Sequence, residues 1–310
     1  MADADLYEQL VDAANAVYGA HPRSRALHAK GTWCRGTFTA APEAASYTRA
    51  VHLQGAEVPA LIRFSNGSGD PDSHDATRDP RGMAAKFELA GEEATDLLAT
   101  TTPTFISRDA EGFLEILRLR RPDPETGQPN MEKLGAYLAE HPEAQTAIQA
   151  VLGTEPPASF AQLTYYNPHT FFLVNAQGVK TPVRWRWRPV AAEATIPDDE
   201  ASARGRDYLQ RELTERVGNG PAEFELRLQI ATGGDPIEDP TQPWPDDREQ
   251  VAVGRLAIRE VIDDPEAGGD VVVFDPMRLI DGIEPSEDPV LHARPRAYSV
   301  SIERRSQPRA

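Results

Sequence analysis

Towards its C-terminal end the chain reads HARPRAYSVSIERR, with Arg294 four positions ahead of Tyr298. Residues four apart share one face of a helix, one turn from each other. A guanidinium beside a phenol has two uses. It makes a surface cation–π contact, or it lowers the phenol pKa from about 10 so that a phenolate can bind a ferric ion. A second candidate is His28 in RALHAKG, between Arg25 and Lys30. A histidine among cations is either a solvated surface residue or a neutral general base, its pKa kept low by burial and by its neighbours. A third is Arg63, in the apolar run LIRFSNGSG. A charge buried in a strand must be met by a carboxylate, either one of the protein or one of a ligand. Ser65, two residues on, faces the same side of that strand and is suited to bonding a histidine. Phe105, in TTTPTFISRD, reads on its own as core.

The seven histidines show no HExxH or HxH spacing, so a zinc site is not expected. The single cysteine, Cys34, excludes an intrachain disulfide and a cysteine-ligated cluster. No Walker loop and no strand-linked GxGxxG is present.

The elements that must position these groups follow from periodicity. DLYEQLVDAANAVYGA, from Asp5, reads as an amphipathic lead helix. RGTFTA, VPALIRFSNG, RGMAAKFELA and TPTFISRD read as strands, and EGFLEILRLRR and MEKLGAYLAEHPEAQTAIQAVLG as helices. HTFFLVNAQG and KTPVRWRWRPV make a strand pair with a two-residue hairpin signature at Gln177-Gly178. A charged helix, DDEASARGRDYLQRELTERVG, precedes the strands AEFELRLQIA and QVAVGRLAIREV. From about residue 270 a loop leads to Arg294 and Tyr298. Grouped antiparallel strands with intervening helices predict one α+β domain over residues 1–310, built on a closed or nearly closed barrel.

The net charge of −17 argues against nucleic acid and against anionic membrane surfaces as partners. No apolar run approaches the roughly 20 residues of a membrane span. The acidic start MADADLYEQLV lacks a basic, apolar leader, and one cysteine suits a reducing compartment, so a cytoplasmic protein is expected.

Taken in order, RALHAKG, RFSNGSGDPDSHDATRDPRGMAAKFEL, TTTPTFISRD, YNPHTFFLVNAQG and DGIEPSEDPVLHARPRAY resemble the haem catalase family from about Arg23 to Tyr298. The length is similar to that of the short catalase-related peroxidases, without the long N-terminal arm and the C-terminal domain of full-length catalases. The resemblance implies an eight-stranded antiparallel β-barrel with surrounding helices and haem b held between them. It implies Tyr298 as the proximal iron ligand, the tyrosine ligation known for catalases, with Arg294 keeping it a phenolate. His28 matches the catalytic histidine and Ser65 the serine that orients it. Arg25 and Arg63 match arginines that pair with haem propionates. Phe105 and Phe113 match aromatics of the distal side, and Asp79, in RDPRG, the aspartate of the substrate channel.

Two residues depart from the family pattern. Thr100 falls where the family has a distal asparagine, and its hydroxyl cannot present an amide to peroxide. Pro295 follows Arg294 and is expected to kink the helix there. The implied activity is reduction of organic hydroperoxides, with hydrogen peroxide as a further candidate, through a ferryl intermediate and an external electron donor. Weak catalase activity, hydroperoxide isomerisation of the allene oxide synthase kind, and haem binding without catalysis are the alternatives. A homodimer is the expected assembly.

Overall fold

The computed structural model describes residues 5–306, and in them ten strands join one antiparallel sheet. They are β1 (Gly31–Ala40), β2 (Glu57–Asn66), β3 (Arg81–Glu88), β4 (Ala94–Thr100), β5 (Tyr165–Tyr166), β6 (Phe171–Val174), β7 (Lys180–Pro189), β8 (Ala222–Ile230), β9 (Gln250–Ile262) and β10 (Ile283–Pro285). The order β7-β5-β4-β3-β2-β1-β9-β8 is completed by β8 pairing back onto β7, so eight strands close into a barrel. β6 continues along the β5 side of β7, and β10 adds to β6.

Period-two alternation sorts the side chains. Phe38, Ile62, Phe64, Met83, Phe87, Leu97, Trp187 and Phe224 fill the barrel interior. Tyr165 is buried with them and donates its hydroxyl to the Phe160 carbonyl at 2.9 Å. Each such side chain contributes roughly 1.5–3 kcal/mol on burial. The opposite face of β1–β4 carries Trp33, then Leu61, Arg63 and Ser65, then Gly82 and Ala84, then Leu98 and Thr100. It is covered in its turn: Phe274 stacks on Trp33 at 5.7 Å between ring centroids. The second half of β2 is therefore buried on both faces, which explains its nearly continuous apolar run.

Eight helices surround the barrel among the described residues: α1 (Leu6–Tyr18), α2 (Ala44–Tyr47), α3 (Ala110–Arg120), α4 (Met131–Glu140), α5 (Pro142–Gly153), α6 (Asp198–Ala203), α7 (Tyr208–Asn219) and α8 (Pro289–Ser306). α1 packs on α3 and α8 through Leu10, Ala14, Leu114 and Leu117, with Phe113 and Ala293 beside them. No helix is long and apolar enough to cross a membrane among the described residues.

Several elements differ from the sequence expectation. TPTFISRD forms turns rather than a strand, because Pro103 removes a ladder donor and the Phe105 amide bonds the Pro240 carbonyl at 2.8 Å. The strand lies just before it, as β4. The helix expected over 131–153 breaks at His141, whose following proline excludes the helical conformation. The charged helix splits at Gly205, which adopts φ 86°. The hairpin loop spans 175–179, since Val174 pairs with Lys180, and the Asn175 side chain accepts from the Gln177 and Val179 amides. α8 runs unbroken through Pro295, and Asp288 caps its start by accepting from the amides of Val290 and Leu291.

Candidate active site

One register row crosses the outer face of the barrel: Gly31 opposite Ser65, Ser65 opposite Gly82, and Gly82 opposite Thr100. The segment preceding β1 is pinned above this row. The His28 amide donates to the Gly67 carbonyl at 3.1 Å, and the Ala29 amide to the Ser68 carbonyl at 3.0 Å. These bonds hold His28 at φ 56°, a left-handed conformation that costs of order 1–3 kcal/mol for a residue of this kind. In return Nδ1 lies 3.0 Å from Ser65 Oγ. The imidazole sits over bare backbone: a Cβ on Gly82 would come within 2.7 Å of Ser65 Oγ and 2.9 Å of His28 Nδ1. Burial, followed by the charges of Arg63, Arg294 and Arg25, pushes the imidazole down to about 3. His28 is therefore neutral at pH 7, able to accept a proton.

Asp79 supports the loop under His28. Its carboxylate accepts from the Ser68 amide at 2.6 Å. Burial raises its pKa, opposed by Arg81 and by the amides of that loop. Thr100 closes the row on the side away from Ser65, with Oγ 3.0 Å from Thr102 Oγ. It offers a hydroxyl pair and makes no bond to His28.

The phenol side is built by α8 and the residues entering β6. Arg294 Nε donates to Tyr298 Oη at 2.9 Å, so the expected i,i+4 contact survives the proline. Arg294 NH1 lies 3.0 Å from His169 Nε2, and His169 Nδ1 lies 2.6 Å from Asp288 Oδ2. An ionised carboxylate accepts only, so Nδ1 carries the proton and Nε2 takes a hydrogen from the guanidinium. Burial lowers the His169 pKa, against the raising effect of Asp288. The neutral ring thus anchors Arg294 from behind while the guanidinium Nε faces the phenol. Phe105 packs on this side, 5.4 Å from Phe113 and 6.2 Å from His169 between ring centroids.

At the rim three arginines converge. Arg63 is 5% exposed, bonds only the Ala29 carbonyl at 2.9 Å, and pairs with no carboxylate among the described residues. Its guanidinium and that of Arg25 each lie 5.4 Å from the Trp33 ring centroid. Arg305 comes up beside them from the last turn of α8. Arg63 Nε and Arg305 Nε are buried donors without a partner among the described residues.

Three members of the site were missed in the sequence. Arg305 carries a signal that could have found it, since it stands seven residues, two helical turns, beyond Tyr298. His169 and Asp288 lie 119 positions apart, and no local pattern links them.

The haem expected from the resemblance fits these residues. Trp33, Leu61 and Phe274, with Ala84, Leu98, Ile262 and Val272 packed on them, form an apolar cluster beside Arg25 and Arg63. The unpartnered arginine donors at its rim suit carboxylates. The phenol oxygen accepts a hydrogen bond from the Arg294 guanidinium.

Comparison with known proteins agrees with this geometry. The sequence model of the family described as Catalase matches residues 9–308. A catalase-related peroxidase of Mycolicibacterium paratuberculosis is 42% identical over 300 residues, covering 96% of this chain and 94% of that protein. Another, of Synechococcus elongatus, is 33% identical over 97% of this chain and 88% of its own length. The crystal structure of a fungal catalase superposes with a TM-score of 0.83 at 26% identity, over 93% of this chain and 60% of that one. A closed barrel, a serine-bonded histidine over it and an arginine-held tyrosine on the helix beside it thus occur in a sequence that matches over residues 9–308: the chain belongs to the catalase family.

Proposed function

We propose that this protein is a haem b peroxidase that reduces organic hydroperoxides with an external electron donor. Family membership makes it an oxidoreductase acting on peroxide. The observation that carries the finer reading is an intact acid–base residue, His28, in one site with a threonine in place of a side-chain amide: Thr100 Oγ1 lies 3.0 Å from Thr102 Oγ1 and accepts from the Thr102 amide at 3.2 Å.

In this reading Tyr298 holds the iron, with Arg294, His169 and Asp288 aligned behind it. Arg25, Arg63 and Arg305 take the propionates. When bound, haem supplies the metal that polarises the O–O bond and takes up its two oxidising equivalents. His28 accepts the proton of the hydroperoxide at Nε2 and returns it to the departing oxygen, so that an alcohol rather than an alkoxide leaves. Ser65 keeps the ring turned for both transfers. Disproportionation of hydrogen peroxide demands that a second peroxide be placed well, and a threonine side chain reaches less far than an asparagine and has no amide N–H to offer for that purpose.

The test is steady-state turnover of cumene hydroperoxide by the haem-loaded protein, with and without a phenolic donor. Consumption of donor in proportion to alcohol formed is expected. Oxygen release from hydrogen peroxide at the faster rate would instead indicate a catalase. A rearranged fatty-acid product with the donor untouched would indicate an isomerase. His28→Ala should keep the haem spectrum and lose about 10²–10⁴-fold in turnover; unchanged function would point to a binding module.

A further inference from the structure

Arg25 reaches the rim from the segment before β1, Arg63 from β2 and Arg305 from the end of α8. One part-buried carboxylate answers two of them. Glu266, in the loop after β9, places Oε2 2.5 Å from Arg25 NH1 and Oε1 3.1 Å from Arg305 NH1. Oε1 also accepts the Val272 amide at 2.8 Å, while Arg25 NH2 donates to the Val272 carbonyl at 3.0 Å. The Glu266 and Arg305 side chains are 12% and 7% exposed, so these charges are scarcely screened by water. Asp264, the other acid whose charge reaches Arg63 and Arg305, is exposed.

Among the described residues, three cations against one part-buried carboxylate leave two charges unanswered. Two is the number of carboxylates that protoporphyrin carries. The free donors agree with the count: Arg63 Nε and Arg305 Nε have no partner among the described residues, whereas Glu266 occupies only NH1 of Arg25 and of Arg305. Burial, followed by Arg25, lowers the pKa of both Arg63 and Arg305, and Glu266 opposes that effect in each.

We propose that Glu266 is a positioning residue for the cofactor, the internal counter-ion that holds Arg25 and Arg305 in place before loading and leaves the cluster with the double positive charge that two propionates complete. This rests on the reading of the arginines as the propionate seat. It follows that the Glu266 charge matters most in the empty protein. Once loaded, the propionates remain as counter-ions when Glu266 is neutralised.

The experiment compares the full chain, haem-free and hemin-loaded, as wild type and as Glu266→Gln, which keeps the shape and an acceptor for the Val272 amide. The melting temperature of the haem-free variant should fall by several degrees and that of the loaded variant by less than half as much. By the thermodynamic cycle the hemin dissociation constant, read from Soret titration, should then fall several-fold. Equal losses in both forms would make Glu266 a structural latch and overturn the proposal, as would a larger loss in the loaded form. Should the haem-free variant not fold, Glu266→Gln/Arg305→Gln, which removes one charge of each sign, is expected to regain haem-free stability and to bind hemin more weakly than wild type. A double variant no more stable than the single one would overturn the charge argument. Failure of the wild type to bind hemin at all would instead remove the reading beneath it, and this inference with it.

Discussion

The guanidinium of Arg294 is fixed at both ends, with Nε 2.9 Å from Tyr298 Oη and NH1 3.0 Å from His169 Nε2. A long, flexible side chain is thereby reduced to one orientation. Asp288 both fixes the His169 tautomer and caps the helix that carries Arg294 and Tyr298. Tilting one member of the chain moves the others.

Asp288→Asn separates those two duties. The carboxamide oxygen still caps α8, but its NH₂ can donate to His169 Nδ1 and favour the other tautomer, turning Nε2–H towards the guanidinium. The chain should fold, with the tyrosinate resonance Raman bands of the haem-loaded protein shifted and turnover reduced by about 10–100-fold, the usual loss when a metal ligand's supporting partner is removed. Unchanged Raman bands would show that Arg294 holds the phenol without help from His169.

The pH profile follows from His28. With its pKa pushed down to about 3, the imidazole stays in its proton-accepting form at every pH above that value. The acid limb of kcat/KM for a hydroperoxide should therefore lie well below the ordinary histidine value of about 6.5, leaving a flat profile from mildly acidic to neutral pH. A limb near 6.5 that vanishes in His28→Gln would count against the buried, cation-ringed environment.

Gly82 is required for space. An added Cβ would lie 2.7 Å from Ser65 Oγ and 2.9 Å from His28 Nδ1. In Gly82→Ala the two side chains can move away without unfolding the barrel, but the histidine is then misplaced. The expected result is near-native thermal stability with turnover reduced by roughly 10²-fold, the penalty typical of a misplacement of about 1 Å. Full activity in a stable Gly82→Ala protein would contradict this.

His52 should make the fold acid-labile. It is fully buried, stacked on Phe87 and beside Phe38, neither ring nitrogen has a partner among the described residues, and burial lowers its pKa to about 4. Since the folded value lies below the unfolded one, the unfolded chain takes up the proton first. Stability is complete above the unfolded value near 6.5 and is lost as pH falls through the window down to about 4. The loss from this group is of the order of 3 kcal/mol at ~1.36 kcal/mol per pKa unit. Urea midpoints measured across that window should fall less steeply in His52→Phe than in wild type.

Much of this architecture was legible in the sequence because it rests on local periodicity. Alternation marked β1, β2, β3, β7, β8 and β9. The four-residue spacing of Arg294 and Tyr298 foretold a contact that α8 makes despite Pro295. Where local rules failed they did so for local reasons, at His141-Pro142 and Gly205, where a proline and a left-handed turn ended helices that the apolar pattern alone would have continued.

What the sequence by itself determined was the set of elements and the chemical types set within them: a histidine beside cations, an arginine in a buried strand, a phenol one turn from a guanidinium. Tertiary structure alone decided which of these meet. Strand register placed Gly82 under His28 and set Thr100 opposite Gly82, in the same row as Ser65. The packing of α8 beside the start of β6 joined Asp288 to His169 across 119 positions, and the loop after β9 carried Glu266 to an arginine 241 residues away. Periodicity specifies which face of an element is buried. The partner that face meets is chosen by barrel closure and loop path, to which short-range sequence pattern is blind.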